Sequence, residues 1–455
     1  MGTNISNYFK FLIIQAILLI ITYASFAEEV PIDTNLSGGT TTREDVTINA
    51  FSKPAKNLPL KYRRLFTQGN NLFRANWTSS KNHKFFGLGP TYTNSSCISC
   101  HLNDGRSTPP DFGKNGTEGL TIFINNADRD EVNYGTKIDT KSIEGVPSEA
   151  KINITYEKVF GNFDDGTPYT LIKPELNIEQ ASFGEIKNKI HGRVATSIIG
   201  IGLIETIPDK LILKWADPYD QDNDGISGRV NIVYDPVTEK KSIGKFGWKA
   251  SKSSVKHQVI SALYEDIGIT SNIFPVNRCP KIQMSCLRQS KNIEADKSII
   301  DALTFYTSVI AVPARRDFRN INVVNGKKIF IKIGCANCHL TNIKTGIQKN
   351  EQLKFLNNQN IQPYTDLLLH DMGDGLAENT NEGLADRNEW RTAPLWGLGL
   401  IKNVNGKVRL LHDGRARSIE EAILWHEGEA KKSRENYLKL DKYKRDLLLK
   451  FLNSL

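Results

Sequence analysis

The chain has 455 residues, 39% of them hydrophobic and 24% charged, with a formal net charge of +9 at pH 7. This composition excludes collagen-like, disordered and polytopic membrane architectures, and the length suggests two or three domains. The excess of Lys is diffuse, with no compact basic stripe interleaved with aromatics, which argues against nucleic acid as a partner.

Residues 1–27 read as a secretory signal. Lys10 is followed by an apolar run from Phe11 to about Tyr23, and Ser25 and Ala27 supply a small-residue cleavage site. The run is shorter than the roughly 18–20 residues that span a bilayer comfortably. The mature chain is therefore expected to start near Glu28 and to carry no stable membrane span. Export places thiols where disulfide and thioether bonds persist. Residues 28–60, rich in Thr, Asn and Pro, are expected to form an extended arm.

Four of the six cysteines fall into two identical patterns, Cys97-Ile98-Ser99-Cys100-His101 and Cys335-Ala336-Asn337-Cys338-His339. C-x-x-C-H is the attachment signature of c-type haem. Two thiols on one helical turn reach the two vinyl groups of a porphyrin, and the adjacent His can ligate iron. A thioredoxin-like pair does not need the trailing His, and a zinc site would need further Cys or His at short spacing. Two covalently bound haem c groups are expected, with His101 and His339 on iron. The remaining Cys279 and Cys286 are expected to form a short-loop disulfide.

The surroundings of the motifs repeat. Gly69 and Phe73 precede the first motif as Gly326 and Phe330 precede the second. Arg193-Val194-Ala195 and Gly200-Ile201-Gly202-Leu203-Ile204 follow the first; Arg391-Thr392-Ala393 and Gly397-Leu398-Gly399-Leu400-Ile401 follow the second. The expected fold is mainly α, with two cytochrome-c-like haem domains. These would be an N-terminal one over 61–311, carrying long loop insertions, and a C-terminal one over 312–455.

Between the motifs, Asp220, Asp222 and Asp224 followed by Gly225 reproduce the first half of an EF-hand loop, although Asn231 stands where the bidentate Glu belongs. These three aspartates are candidate calcium ligands, against a solvated turn. What occupies the second face of each iron separates electron transfer from catalysis. Met372, 33 positions after His339 in a Gly-rich loop, is the expected ligand of the second haem, with His370 as its competitor. For the first haem, His83, His191, His257 and an open face stand level. Ile419, Ala422, Ile423 and His426 recur at helical spacing, so His426 is expected to be packed or capping. Asp413 and Arg415 are expected to bind haem propionates or each other.

Taken together, SCISCH with NDGRSTPP, GRVATSIIGIGLIETIP, DNDGISGRVN, FGWKA, HQVISALYEDIGIT, GCANCH, LLLHDMGDGLA, EWRTAPLWGLG and LHDGRARSIEEAILWHEGEA resemble the di-haem oxidoreductase family. That family is similar to bacterial di-haem cytochrome c peroxidases. The resemblance runs from about Tyr62 to the C-terminus. It implies a periplasmic, Gram-negative bacterial oxidoreductase in which the N-terminal haem handles hydrogen peroxide and the C-terminal haem, with a Met ligand, relays electrons to it. A small exported electron-donor cytochrome or cupredoxin would replenish both. Within this resemblance Glu205 is the expected distal acid/base, with Gln258 behind it. Arg193 would stabilise charge on the peroxide oxygen or pair a propionate, and Trp248 or Trp396 would lie between the haems. The alternative is a non-catalytic di-haem electron carrier.

Overall fold

Two pairs of crossed helices frame the molecule, and one glycine sets each crossing. In the computed structural model, which describes residues 34–124, 133–289 and 292–455, helix Arg63–Phe73 crosses helix Lys297–Ser308 and helix Ile321–Lys332 crosses helix Lys442–Ser454. A Cβ on Gly69 would overlap the Ala302 carbonyl oxygen, and one on Gly326 would overlap that of Leu447. Only a residue without a side chain lets the backbones approach this closely. Asp296, Asn320 and Asp441 cap three of these helices through their side-chain oxygens.

The second part of the repeat closes on the same frames. Gly200 and Gly397 sit at positive φ of 66° and 73° and open short helical turns. The next glycines, Gly202 and Gly399, press against the carbonyls of Ser308 and Asn453 at the ends of the crossing helices. Each frame also carries a Phe that touches the following motif. Phe73 lies 5.8 Å from the His101 ring and 5.3 Å from Tyr306; Phe330 lies 6.3 Å from His339 and 5.3 Å from Phe451.

The expectation of a mainly α protein made of two cytochrome-c-like domains is corrected by this structure. The chain is 31% helical and 18% strand, and the strands form six small antiparallel sheets among the described residues. The insertions between the first motif and its G-x-G segment are largely strand. Ala150–Asn162 pairs with Pro168–Ala181 in a long hairpin, and Leu120–Ile124 pairs with both Lys137–Ile138 and Ile190–Val194. The alternation Ile152, Ile154 and Tyr156 with polar residues between them is a strand period. The turn Asp164-Asp165-Gly166, with Gly166 at φ 84°, reverses it.

That hairpin also explains why residues Asn35–Leu455 form one compact unit. Its tip reaches the C-terminal helices. Asp164 N–H donates to the Leu438 carbonyl, Arg445 pairs with Asp165 at 2.9 Å, and the Arg445 guanidinium covers the Phe163 ring. Of the arm expected over 28–60, residues 35–60 lie against the core. Phe51 is 1% exposed beside Gly397, and backbone bridges join Arg43 to Pro313 and Pro54 to Ile310. Cys279 and Cys286 form a disulfide. No helix among the described residues is long and apolar enough to cross a membrane. The expected signal over 1–27 lies outside the described residues.

Candidate functional site

Both C-x-x-C-H motifs open into one cavity of about 460 Å³. Its wall includes Cys97, Cys100 and His101 from the first motif and Cys335, Cys338 and His339 from the second. The G-x-G segments bring them together, since Gly200 packs against Trp396 and Gly397 against Ile199. Each repeat thus presents its motif to the same space.

The two motif histidines are held alike. His101 Nδ1–H donates to the Thr196 carbonyl at 2.8 Å, and His339 Nδ1–H donates to the Tyr364 carbonyl at 2.8 Å. Such a bond fixes the tautomer and leaves Nε2 as a neutral electron-pair donor, which is how imidazole presents itself to a metal. Burial pushes both rings below the usual imidazole range, His339 to about 4, so neither competes for a proton near neutral pH. Burial also pushes the thiols up, Cys97 to about 12, Cys100 to about 11 and Cys335 to about 12. Redox-active C-x-x-C pairs have the opposite property, a lowered thiol pKa.

Two buried guanidiniums stand on the cavity wall. Arg106 is 8% exposed and Arg391 7%, and neither forms an ion pair among the described residues. Arg106 donates to the Leu411 carbonyl, while its Nε is buried with no partner; Arg391 donates to the carbonyls of Gly247 and Thr392. Desolvation pushes both guanidiniums down to about 10. Asp366 favours the charged form of Arg391, but a buried cation without an ion-pair partner is costly, so both side chains fit a ligand that brings carboxylates into the cavity. Paired thiols, neutral imidazole nitrogens and uncompensated guanidiniums on apolar walls are a donor set that a haem, with its vinyl groups, iron and propionates, satisfies.

The expected site residues divide into those that reach the cavity and those that do not. Met372, Gln258, Trp248 and Trp396 line it. Glu205 is not on the cavity wall; its Oε1 accepts from Val255 N–H at 2.8 Å, anchoring the start of helix Val255–Ala262, and burial pushes its carboxyl up. Arg193 is also off the wall. It chelates Glu378, pairs with Glu382, and is stacked between the Phe123 and Trp390 rings. His83, His191 and His257 lie outside the lining. His83 Nδ1 accepts from Phe85 N–H, His191 Nε2 accepts from Asn379 N–H, and His257 Nδ1 contacts Ser253. Asp413 and Arg415 pair with each other at 2.7 Å.

His370 is enclosed. Its Nε2 is 2.9 Å from Asp366 and its Nδ1 2.6 Å from Glu429, so both nitrogens are engaged by carboxylates. Burial alone would lower its pKa, but hydrogen bonds to Asp366, Cys338 and Glu429 hold it well above the usual range. Cys338, Asp366 and His370 place ligand atoms within 4.8 Å of one another. An imidazolium, however, has no lone pair for a metal.

In the acidic loop, oxygens of Asp217, Asp220 and Asp222 converge within 4.8 Å. Asp224 is turned back to accept from Ile226 N–H. Asn231 is buried and donates to the carbonyls of Lys249 and Glu382, outside this cluster. Sequence reasoning missed Asp217, Arg106, Trp390 and the role of His412. The His412 ring stacks on Trp390 at 3.8 Å and 12°, with Nε2 3.7 Å from Glu378. Arg106, five residues past His101 in an Asp-Gly-Arg turn, was the one with a local signal.

No curated protein gives a significant match to the chain. The family described as "di-haem oxidoreductase, putative peroxidase" matches residues 31–126 and 135–455, which is nearly the whole sequence. The matched residues include both C-x-x-C-H motifs, and the chain belongs to the di-haem oxidoreductase family.

Proposed function

We propose that this protein is an exported, periplasmic peroxidase with two covalent haems, which reduces hydrogen peroxide at the first motif using electrons relayed from the second. Cys97 and Cys100 would hold one haem c with His101 on iron, and Cys335 and Cys338 the other with His339. When bound, these groups supply reversible one-electron chemistry, and iron with a vacant face activates peroxide. The observation that carries the reading is the single cavity lined by both motifs, which lets two centres work as one.

An open face at the first haem is supported by the placement of His83, His191 and His257 away from the cavity. This favours the peroxidase over a carrier with both irons six-coordinate. Gln258 stands on the cavity wall, on the helix whose start Glu205 anchors. Its amide can donate to one peroxide oxygen and accept a hydrogen bond from the other, which orients the substrate. Glu205 then has a structural place at the start of that helix, and Arg193 ties strand Ile190–Val194 to the 378–382 loop. Trp248 and Trp396 offer aromatic surface between the halves. Calcium would bind Asp217, Asp220 and Asp222. The electron donor would be a small exported cytochrome or cupredoxin.

The test is a steady-state assay of haem-loaded protein with a reduced donor. Peroxide-dependent oxidation of the donor is expected. Its absence in protein carrying both haems would leave the carrier reading in place.

A further inference from the structure

We infer that His426, and not Met372, is the sixth iron ligand of the haem held at Cys335–His339. The inference rests on the reading that this motif binds haem. His426 follows helix Ile419–Leu424, whose residues Ile419, Ala422 and Ile423 line the cavity one and two turns before it. Its Nδ1–H donates to the Ala422 carbonyl at 2.7 Å. This satisfies a carbonyl that the helix end leaves without an intrahelical partner. The capping role expected from the sequence is therefore real, but it uses only one nitrogen.

The other nitrogen makes the case. His426 lines the same cavity as His339, and its Nε2 makes no hydrogen bond among the described residues. The ring is thus prepared in the same way as His101 and His339, with Nδ1–H on a backbone carbonyl and Nε2 left for the cavity. The segment that follows His426 packs on the second motif: Glu429 hydrogen-bonds His370, whose Nδ1 is 3.8 Å from Cys338 Sγ, and Ser433 Oγ faces Gly334 beside Cys335. The other histidines in the lining are engaged elsewhere: His370 lies between two carboxylates, and His412 lies flat on Trp390 with Nε2 toward Glu378.

Met372 has no such unmet demand. Its half-buried thioether packs against the hydrophobic core, and apolar contact satisfies it. An imidazole nitrogen, unlike a thioether, is not satisfied by apolar packing. Haem iron is the electron-pair acceptor that would complete His426.

Optical, near-infrared magnetic circular dichroism and EPR spectra of the two-haem protein test this without an activity measurement. The second haem is expected to be low-spin with two imidazole ligands, and the thioether-to-iron charge-transfer band should be absent. Met372→Leu should leave these spectra unchanged. His426→Met should introduce the charge-transfer band and raise that haem's midpoint potential, because a thioether favours the ferrous state. A thioether band in the parent protein that disappears in Met372→Leu would overturn the assignment, as would a parent spectrum unaltered by His426→Met. Denatured protein counted for covalent haem separates the two levels. Fewer than two haems per chain removes the underlying reading, whereas two haems with thioether ligation removes only His426.

Discussion

Replacing Arg193 by Met removes the cation that chelates Glu378 and leaves two carboxylates behind, one buried and one largely so. The guanidinium is 6% exposed, with Glu378 at 1% and Glu382 at 24%, so little water can enter to compensate. Burial alone would raise both carboxyls, but the Arg193 guanidinium outweighs it and holds both below the usual range. Breaking a buried ion pair from one side costs about 3–5 kcal/mol, and that is the expected loss for Arg193→Met at pH 7. Met approximates the length of the aliphatic stem, so cavity formation adds little.

The pH dependence has a definite sign. In the parent, Glu378 and Glu382 have lowered pKa values, so their contribution is fully present above the usual carboxylate range and is lost as pH falls through the folded values. In the variant, burial is no longer opposed by Arg193, the pKa of Glu378 rises, and protonation relieves the unpaired charge. The deficit should therefore be largest at neutral pH and shrink below about pH 5. Urea unfolding across pH reads this; guanidinium would screen the pair. A loss under about 1 kcal/mol, the range of exposed ion pairs, would refute the reasoning. So would a deficit that grows on acidification.

Other outcomes follow from the same structure. Gly326→Ala should cost about 1–3 kcal/mol in urea unfolding, because the Leu447 carbonyl is rigid backbone and the overlap exceeds the about 0.5–1 kcal/mol gained in helix propensity. Glu205→Ala should lose about 1–3 kcal/mol by orphaning Val255 N–H, with peroxide turnover of the folded protein retained. Gln258→Ala should do the reverse, lowering kcat/KM for peroxide with the unfolding midpoint held within about 0.5 kcal/mol. In chelator-treated protein, added calcium should raise the unfolding midpoint of the parent and not of Asp220→Ala, as read by calorimetry.

The parts of this molecule that sequence could reveal are those in which one residue type carries the reason. Gly69 and Gly326 announce helix crossings because no other residue fits against a facing carbonyl, and the repeat survives insertions of different length. The C-x-x-C-H motifs are local for the same reason. The long hairpin was also readable, from its alternating Ile152, Ile154 and Tyr156 and its Asp-Gly turn. The haem motifs led instead to an expectation of helices joined by loops. What sequence could not show is the pairing of distant atoms. Arg193 meets Glu378 185 residues away, and His101 meets the Thr196 carbonyl 95 residues away, with nothing local to mark either partner. Glu205 and Gln258 were both singled out, but helix geometry exchanged their places, putting the amide on the cavity wall and the carboxylate behind it. At His426 the helical spacing was correct, and the buried face it predicted is the wall of a cavity.

Two porphyrins joined to one polypeptide underlie the proposed chemistry. The intact mass of the purified protein, together with its pyridine haemochrome spectrum after denaturation, counts them directly. Two haems per chain, retained through unfolding and reduced to one by Cys335→Ala with Cys338→Ala, is the predicted result. A chain that keeps one haem or none, or that releases its pigment on denaturation, would contradict it.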